Sequence, residues 1–132
     1  MATLKYSRQR EAIKDYLMHT DTHPTADTVY MTIREEFPNI SLGTVYRNLN
    51  LLAEIGEAIK ITTPIGGDRF DGNVQPHYHF CCSCCGKVID LDMEQQTFIN
   101  EIAGKSFNGV IDNHVMMFYG SCEDCLDKRK TS

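Results

Sequence analysis

The sequence lacks any run of about 18 uninterrupted apolar residues, which is the length a helix needs to cross a bilayer. Its first residues, Met1 to Lys5, also lack the basic-then-apolar layout of a secretory signal peptide. Positive charge is not in excess, because the net charge is −5. These absences predict a cytoplasmic protein with no membrane partner. They also count against a simple nucleic-acid binder, which needs local positive charge to contact phosphate.

At 132 residues, the chain is long enough for one ordinary domain or two very small ones. Two half-size modules would each have a marginal hydrophobic core. A metal staple or an obligate partner subunit is therefore expected if the chain divides in two.

The first half of the chain predicts three amphipathic helices followed by a β-hairpin. The first helix is expected from Ser7 to about Met18, and the next two are expected to have N-caps at Thr25 and Ser41, since apolar residues follow at helical spacing. Gly56 fits the end of the third helix, and the hairpin covers residues 57–70. This order of elements is the layout of a winged helix-turn-helix.

The second half predicts a small α/β module. Its expected elements are strands at 78–80 and 87–91, a helix at 93–103 and a strand at 115–119. Residues 72–76 are read as a hinge and residues 127–130 as a solvated tail. The predicted fold class is α+β, with a winged-helix domain at 1–72 and a small α/β domain at 73–132.

Two Cys-x-x-Cys pairs, Cys82/Cys85 and Cys122/Cys125, carry the strongest chemical signal. Each pair forms a tight knuckle in which both sulfurs can reach one ion, and two knuckles complete a tetrahedron. In a cytoplasmic protein such pairs are more often metal ligands than disulfides. The sequence therefore predicts a structural zinc site with four thiolate ligands.

The first knuckle has an ambiguous register, because Cys81 and Cys84 have the same spacing as Cys82 and Cys85. Gly86 supports the later pair, since a knuckle favours glycine just after its second ligand. Cys81 and Cys84 are then spare thiols, either buried or prone to oxidation.

A second cluster contains only nitrogen and oxygen donors. His77 and His79 fall on one face of a strand by alternation, and Asp90 lies on the next strand. Imidazoles and carboxylates suit a harder, exchangeable ion such as iron(II) or manganese(II). A pair of surface histidines is the plain alternative. His23 and Asp71 are loop and turn residues by themselves, and they could join the cluster only if the two halves fold toward each other.

The chain resembles the ferric uptake regulator superfamily and, within it, the peroxide-responsive repressor branch. The matching stretches, in family order, are 23–27, 41–47, 68–71, 77–79, 82–86 and 122–125. The resemblance implies a homodimeric repressor that binds double-stranded operator DNA and controls oxidative-stress genes. It also implies a zinc-bearing C-terminal dimerisation module and a regulatory iron(II) or manganese(II). The ligands implied for the regulatory ion are His23, Asp71, His77, His79 and Asp90.

Within the superfamily, Asp90 favours the peroxide sensors, because iron-uptake regulators usually have glutamate at that place. The resemblance implies that His23 and His77 are the ligands that become oxidised, with hydrogen peroxide as a signal and not as a turned-over substrate. Iron-uptake regulators often use a histidine at the place of His114 in a further site. The usual partners would fall at Pro76 and Tyr78, so His114 is read as a leftover or structural residue.

Four residues of the third helix fall away from its apolar stripe: Thr44, Tyr46, Arg47 and Asn50. Arg47 can pair bidentately with guanine, and Tyr46 can meet a thymine methyl or a phosphate. Basic residues near the N-terminus are candidates for phosphate or minor-groove contacts: Lys5, Arg8 and Arg10.

Three alternatives stay open from the residues. An iron- or zinc-uptake repressor would use the same fold. A non-haem iron enzyme would use two histidines and a carboxylate with open positions, although a third histidine and a second carboxylate would crowd those positions. A zinc-dependent scaffold would not bind DNA. The expected function is that of a DNA-binding regulator and not of an enzyme.

Overall fold

The computed structural model describes residues 5–131, and it divides the chain into two compact units that meet between Val74 and Gln75. The elements are α1 (Arg8–Met18), α2 (Ala26–Ile33), α3 (Leu42–Glu54), β1 (Ile59–Thr62), β2 (Asp68–Asp71), β3 (His79–Cys82), β4 (Val88–Asp90), α4 (Phe98–Gly104), β5 (Met117–Gly120) and α5 (Glu123–Thr131). Within the described residues, no helix is long and apolar enough to cross a membrane.

The three predicted helix starts of the first unit are confirmed. Ser7, Thr25 and Ser41 each have extended backbone, and each side chain accepts a hydrogen bond from the backbone N–H three residues later. Such caps satisfy one of the N–H groups that have no partner inside the helix. Gly56 follows the end of α3 at φ 79°, a left-handed conformation that glycine adopts without steric cost.

The core of the first unit lies where the three helices pack on the hairpin of β1 and β2. It is formed by Ile13, Leu17, Val29, Ile33, Ile40, Val45, Leu49, Leu52, Ala58 and Phe70. The hairpin is antiparallel, with Ile59 opposite Asp71. Truncating a fully buried leucine here, such as Leu49→Ala, would cost about 2–5 kcal/mol. The helix-helix-helix-hairpin order confirms the winged-helix prediction.

The second unit is built on a three-stranded sheet in the order β4-β3-β5. β3 pairs antiparallel with β4 and parallel with β5. The mixture of helices with small sheets confirms the α+β class. Strand β5 begins at Met117 and not at Val115, which is 96% exposed.

Two predictions for the second unit were wrong in extent. The helix expected at 93–103 begins only at Phe98, because residues 91–96 take an irregular path. The tail expected at 127–130 is part of α5, which begins directly after Cys122. Its first turn carries Glu123 and Asp124, whose charges suit a helix N-terminus. The helix is polar and exposed, so it has no apolar stripe that hydrophobic periodicity could detect.

Candidate metal centres and nucleic-acid interface

The four predicted thiols come together at one end of the sheet in the second unit. The Sγ atoms of Cys82 and Cys125 are 3.6 Å apart, those of Cys85 and Cys122 are 3.8 Å apart, and all four lie within 4.8 Å of one another. A tetrahedral zinc ion with bonds of ~2.3 Å needs sulfurs separated by about 3.8 Å. Two of the six sulfur separations therefore match tetrahedral zinc, and none of the others exceeds 4.8 Å.

The backbone selects the later register of the first knuckle. Gly86 follows Cys85 at φ 79°, and its N–H donates to the carbonyl of Cys82 at 2.9 Å. This hydrogen bond closes a tight turn in which the sulfurs of Cys82 and Cys85 point toward the same place. The spare thiols differ: Cys81 is buried, whereas Cys84 is exposed and its sulfur lies 3.3 Å from Nη2 of Arg129.

The electrostatics of the thiol cluster also suit a cation. The backbone N–H of Cys122 donates to the sulfur of Cys82 at 3.4 Å and, with other backbone donors, lowers the pKa of the Cys82 thiol to about 5. Hydrogen bonds with the sulfurs of Cys122 and Cys82 instead raise the pKa of the Cys125 thiol. One thiolate is thus stabilised while a neighbour is held protonated, since several bare thiolates would repel one another. A divalent ion would let all four ionise.

In the first unit, His23 and Asp71 form a buried pair. His23 Nε2 lies 3.2 Å from Asp71 Oδ2, and the two side chains are only 2% and 6% exposed. The other carboxylate oxygen accepts the backbone N–H of Asn73 at 2.9 Å, which orients the carboxylate. A buried imidazole beside a buried carboxylate is a suitable pair of donors for a divalent cation.

The segment that carries His23 runs alongside β2, which explains how two distant residues meet. Thr25 pairs with Arg69 as an isolated antiparallel bridge, and the N–H of Phe70 donates to the carbonyl of Pro24 at 3.0 Å. His23 itself has φ 52°, a left-handed conformation that is costly for a residue with a Cβ. Arg69 Nη1 donates to the carbonyl of His23 at 3.1 Å and helps to hold it.

In the second unit, His77, His79 and Asp90 form a three-donor cluster. Asp90 Oδ1 lies 3.0 Å from His77 Nε2 and 3.3 Å from His79 Nε2. The centres of the two rings are 4.3 Å apart, although only His79 belongs to β3 and His77 lies two residues before it. The Nδ1 atom of His77 lies 2.6 Å from the carbonyl of Gln75. Donation from this Nδ1–H leaves Nε2 available as a ligand.

His114 has a structural environment within the second unit. Its Nε2 lies 2.6 Å from the hydroxyl oxygen of Tyr78, and its Nδ1 lies 2.7 Å from Oδ1 of Asn100. Both ring nitrogens are thus engaged by neighbouring side chains. This arrangement agrees with the structural alternative for His114 and gives no sign of a further metal site.

Four α3 side chains are predicted to face DNA and are called the reading residues: Thr44, Tyr46, Arg47 and Asn50. The hairpin contacts some of them. Arg47 is exposed and its Nη2 donates to Thr44 Oγ1 at 3.0 Å. Lys60 on β1 donates to Asn50 Oδ1 at 3.0 Å, and its ammonium lies 5.7 Å from the centre of the Tyr46 ring.

Asp68 completes this cluster, since its Oδ2 lies 3.4 Å from both Lys60 Nζ and the Tyr46 hydroxyl. Sequence reasoning did not select Lys60 or Asp68. Periodicity detects which residues leave the apolar stripe of a helix, but it does not show which strand residues lie beside them.

The three basic residues near the N-terminus differ in surroundings. Lys5 is exposed, and its carbonyl accepts a hydrogen bond from Arg10 Nη2 at 2.6 Å. The guanidinium of Arg8 lies 5.9 Å from the centre of the Phe37 ring. These contacts leave positive charge at the start of α1, but none of them points to a particular base.

Comparison with known proteins agrees with this set of features. The model of the ferric uptake regulator family matches residues 1–119. The chain is 39% identical over 127 residues to the peroxide-responsive repressor PerR of Staphylococcus aureus, which covers 96% of this chain and 86% of that protein.

Two solved structures are also similar to the chain. The Helicobacter pylori ferric uptake regulator Fur, which has three functional metal binding sites, superposes with a TM-score of 0.80 at 27% identity over 93% of this chain and 83% of its own. The Campylobacter jejuni peroxide stress regulator gives a TM-score of 0.76 at 30% identity over 89% of this chain and 88% of its own. The chain therefore belongs to the ferric uptake regulator family, whose members are metal-dependent transcription regulators and not enzymes.

Proposed function

We propose that the protein is a homodimeric, cytoplasmic repressor that binds operator DNA and senses hydrogen peroxide through an exchangeable iron(II) or manganese(II). The observation that carries the sensing part is the carboxylate of Asp90 shared between His77 and His79. This cluster offers only nitrogen and oxygen donors, which leave iron(II) open to oxidation. The 39% identity to a peroxide-responsive repressor supports the same conclusion.

The four-cysteine cluster is proposed to hold a structural zinc. Its support is the separation of 3.6 and 3.8 Å between paired sulfurs. Zinc bound there would tie β3 to α5 and contribute folding free energy to a unit whose core is small. The zinc module, predicted as part of 73–132, is proposed to mediate dimerisation.

The regulatory ion is proposed to take donors from both units. The first unit would supply His23 and Asp71, and the second would supply His77, His79 and Asp90. A cation that binds all five would favour one orientation of the DNA-binding unit, predicted as 1–72. In a twofold dimer that orientation sets the spacing of the two α3 helices, which must match major grooves about 34 Å apart. DNA should in turn tighten the ion, because coupling is reciprocal.

Hydrogen peroxide would act on the protein through the bound metal, since iron(II) supplies the redox chemistry that the side chains lack. We propose His23 and His77 as the residues that are oxidised. Both are largely shielded, with side chains 2% and 13% exposed, so an oxidant formed beside them would react before it escapes. An oxidised imidazole is a poorer ligand, and loss of the ion would release the DNA.

The test is mild peroxide treatment of the iron-loaded protein, followed by peptide mass spectrometry and a DNA-shift assay. We expect one added oxygen atom on His23 or His77 together with loss of DNA binding. The manganese-loaded protein is the matched control and should remain unmodified. Unmodified histidines with DNA binding intact would contradict peroxide sensing.

An iron-uptake repressor is the second candidate, and the TM-score of 0.80 to the Helicobacter pylori ferric uptake regulator favours it. It predicts that the iron-loaded protein binds DNA and keeps binding after mild peroxide. The same experiment therefore separates the two candidates. A zinc-uptake repressor would instead bind DNA only when a second zinc ion is added.

A further inference from the structure

Tyr78 has the largest fully buried side chain among the described residues, and its hydroxyl has two polar neighbours. The backbone N–H of Gln96 donates to it at 2.8 Å, and His114 Nε2 lies 2.6 Å away. A buried tyrosine hydroxyl normally requires such partners. These contacts join the residue just before β3 to the segments on either side of α4.

The hydrogen bonds of this network all run in one direction, from the N–H of Gln96 to the carbonyl of Asp112. Because Oδ1 of Asn100 can only accept, the neutral His114 ring carries its hydrogen on Nδ1 and donates it to that oxygen at 2.7 Å. Its Nε2 then accepts a hydrogen bond from the Tyr78 hydroxyl. The Asn100 amide in turn donates to the carbonyl of Asp112 at 3.5 Å. The polar groups of this network thus have hydrogen-bond partners, and these bonds hold the Tyr78 ring in one position.

The backbone of Tyr78 adjoins all three donors of the second unit. It lies between His77 and His79 in the chain, and its carbonyl accepts the N–H of Leu91 at 3.0 Å. Leu91 directly follows Asp90, whose own cross-strand partner is His79. A shift of Tyr78 would therefore move both histidines and loosen the strand that carries the carboxylate.

We propose that Tyr78 is a positioning residue for the His77, His79 and Asp90 donors, and that His114 acts through it. The inference rests on the proposed regulatory metal site and deepens it. In this chain His114 serves the metal site by locking the residue between two ligands, and not by binding an ion itself.

The test compares manganese(II) affinity among variants of the full-length, zinc-containing protein. Outer partners of ligands typically change metal affinity by about 10- to 100-fold, so Tyr78→Phe and His114→Leu should each weaken manganese binding by about 10-fold. Because both act through one network, the double variant should be little worse than either single one. His114→Gln keeps an acceptor for the tyrosine hydroxyl, and it should recover most of the affinity.

Three further measurements separate positioning from general structure. Zinc content and the melting temperature should stay close to those of the unsubstituted protein. In protein stripped of manganese, the Leu91 amide should exchange with solvent faster in Tyr78→Phe, which detects the loosened strand pair without any metal. Tyr119→Phe is the matched control, because Tyr119 is 58% exposed and its hydroxyl makes no hydrogen bond within residues 5–131.

Three results would overturn the inference. If Tyr78→Phe and His114→Leu bind manganese within about twofold of the unsubstituted protein while His79→Ala does not bind it, the positioning role is wrong and the metal site stands. If manganese affinity and zinc content fall together, the network only maintains the fold. Normal manganese binding by His79→Ala would instead remove the proposed metal site, and the inference would fall with it.

Discussion

Asp90 lies directly across the strand pair from His79, and one oxygen of its carboxylate approaches the imidazoles of both His79 and His77. The antiparallel register sets this arrangement, because opposite residues of neighbouring strands project on the same face. A turn that brings β4 back beside β3 therefore places a carboxylate next to two imidazoles. The same turn begins with the first cysteine knuckle, so zinc bound there would support the register of the regulatory donors.

Asp90→Asn should weaken manganese(II) binding by more than about 10-fold, because the amide keeps the shape but loses the charged donor. The protein should stay folded, since the Asp90 side chain is 41% exposed and is not among the buried core residues of the described part of the chain. Asp92→Asn, an exposed aspartate on the same segment, is the matched control. Titration with manganese would check this, and unchanged affinity in Asp90→Asn would remove the carboxylate from the ligand set.

Cys122→Ser should lose zinc and then unfold or become monomeric, because a structural metal contributes folding free energy that the small second unit lacks otherwise. Cys84→Ser changes an exposed thiol next to the knuckle and should keep both zinc and dimer. Metal analysis combined with size-exclusion chromatography checks the pair. A zinc-free Cys122→Ser dimer would contradict the structural assignment, and zinc loss from Cys84→Ser would restore the earlier register.

Zinc uptake at neutral pH should release fewer than four protons. The pKa of the Cys82 thiol is lowered to about 5 from an ordinary 9.0, so this group is already ionised near pH 7 and has no proton to give. Its lowered pKa favours the folded state most above pH 9, and this contribution is lost as the pH falls to about 5. Proton release can be measured in weakly buffered solution after zinc is removed by a chelator, with circular dichroism to select conditions in which the zinc-free protein is still folded. Release of four protons by the folded, zinc-free protein would show that Cys82 is not pre-ionised.

Arg47→Ala should reduce discrimination between DNA sequences, because a bidentate arginine–guanine contact contributes about 1–3 kcal/mol of specificity. The expected measurement is binding to duplexes selected from a random library by the metal-loaded protein. Arg34→Ala is the matched control, since Arg34 directly follows α2 and its guanidinium lies 5.6 Å from the centre of the Tyr30 ring. Equal binding by both variants would remove Arg47 from the base-reading residues, and failure of the unsubstituted, metal-loaded protein to select any duplex would support a zinc-dependent scaffold.

Local features were predictable from the sequence, whereas long-range ones were predictable only where the residue types marked them, as with Cys82/Cys85 and Cys122/Cys125. Ser7, Thr25 and Ser41 cap their helices through bonds that span three residues, so their positions could be read from the chain. The environment of His23 depends on an irregular segment that pairs with β2 across more than forty residues. Its left-handed backbone also departs from ordinary propensity, as strained functional residues often do.

Lys60 shows the same limit, because periodicity in the sequence does not show that this strand residue lies beside α3. Its ammonium lies between Asn50 and Asp68, so the carboxylate occupies the place where a DNA phosphate could bind. Lys60→Gln should lower DNA affinity for every sequence and reduce the salt dependence by about one phosphate contact. Asp68→Asn should raise affinity, because it removes the competing anion. Lys14→Gln is the matched control, since Lys14 lies on α1 and pairs with Glu57 at 3.3 Å. A salt slope that stays unchanged in Lys60→Gln would place the phosphate contacts elsewhere, with Lys5, Arg8 and Arg10 as the next residues to test.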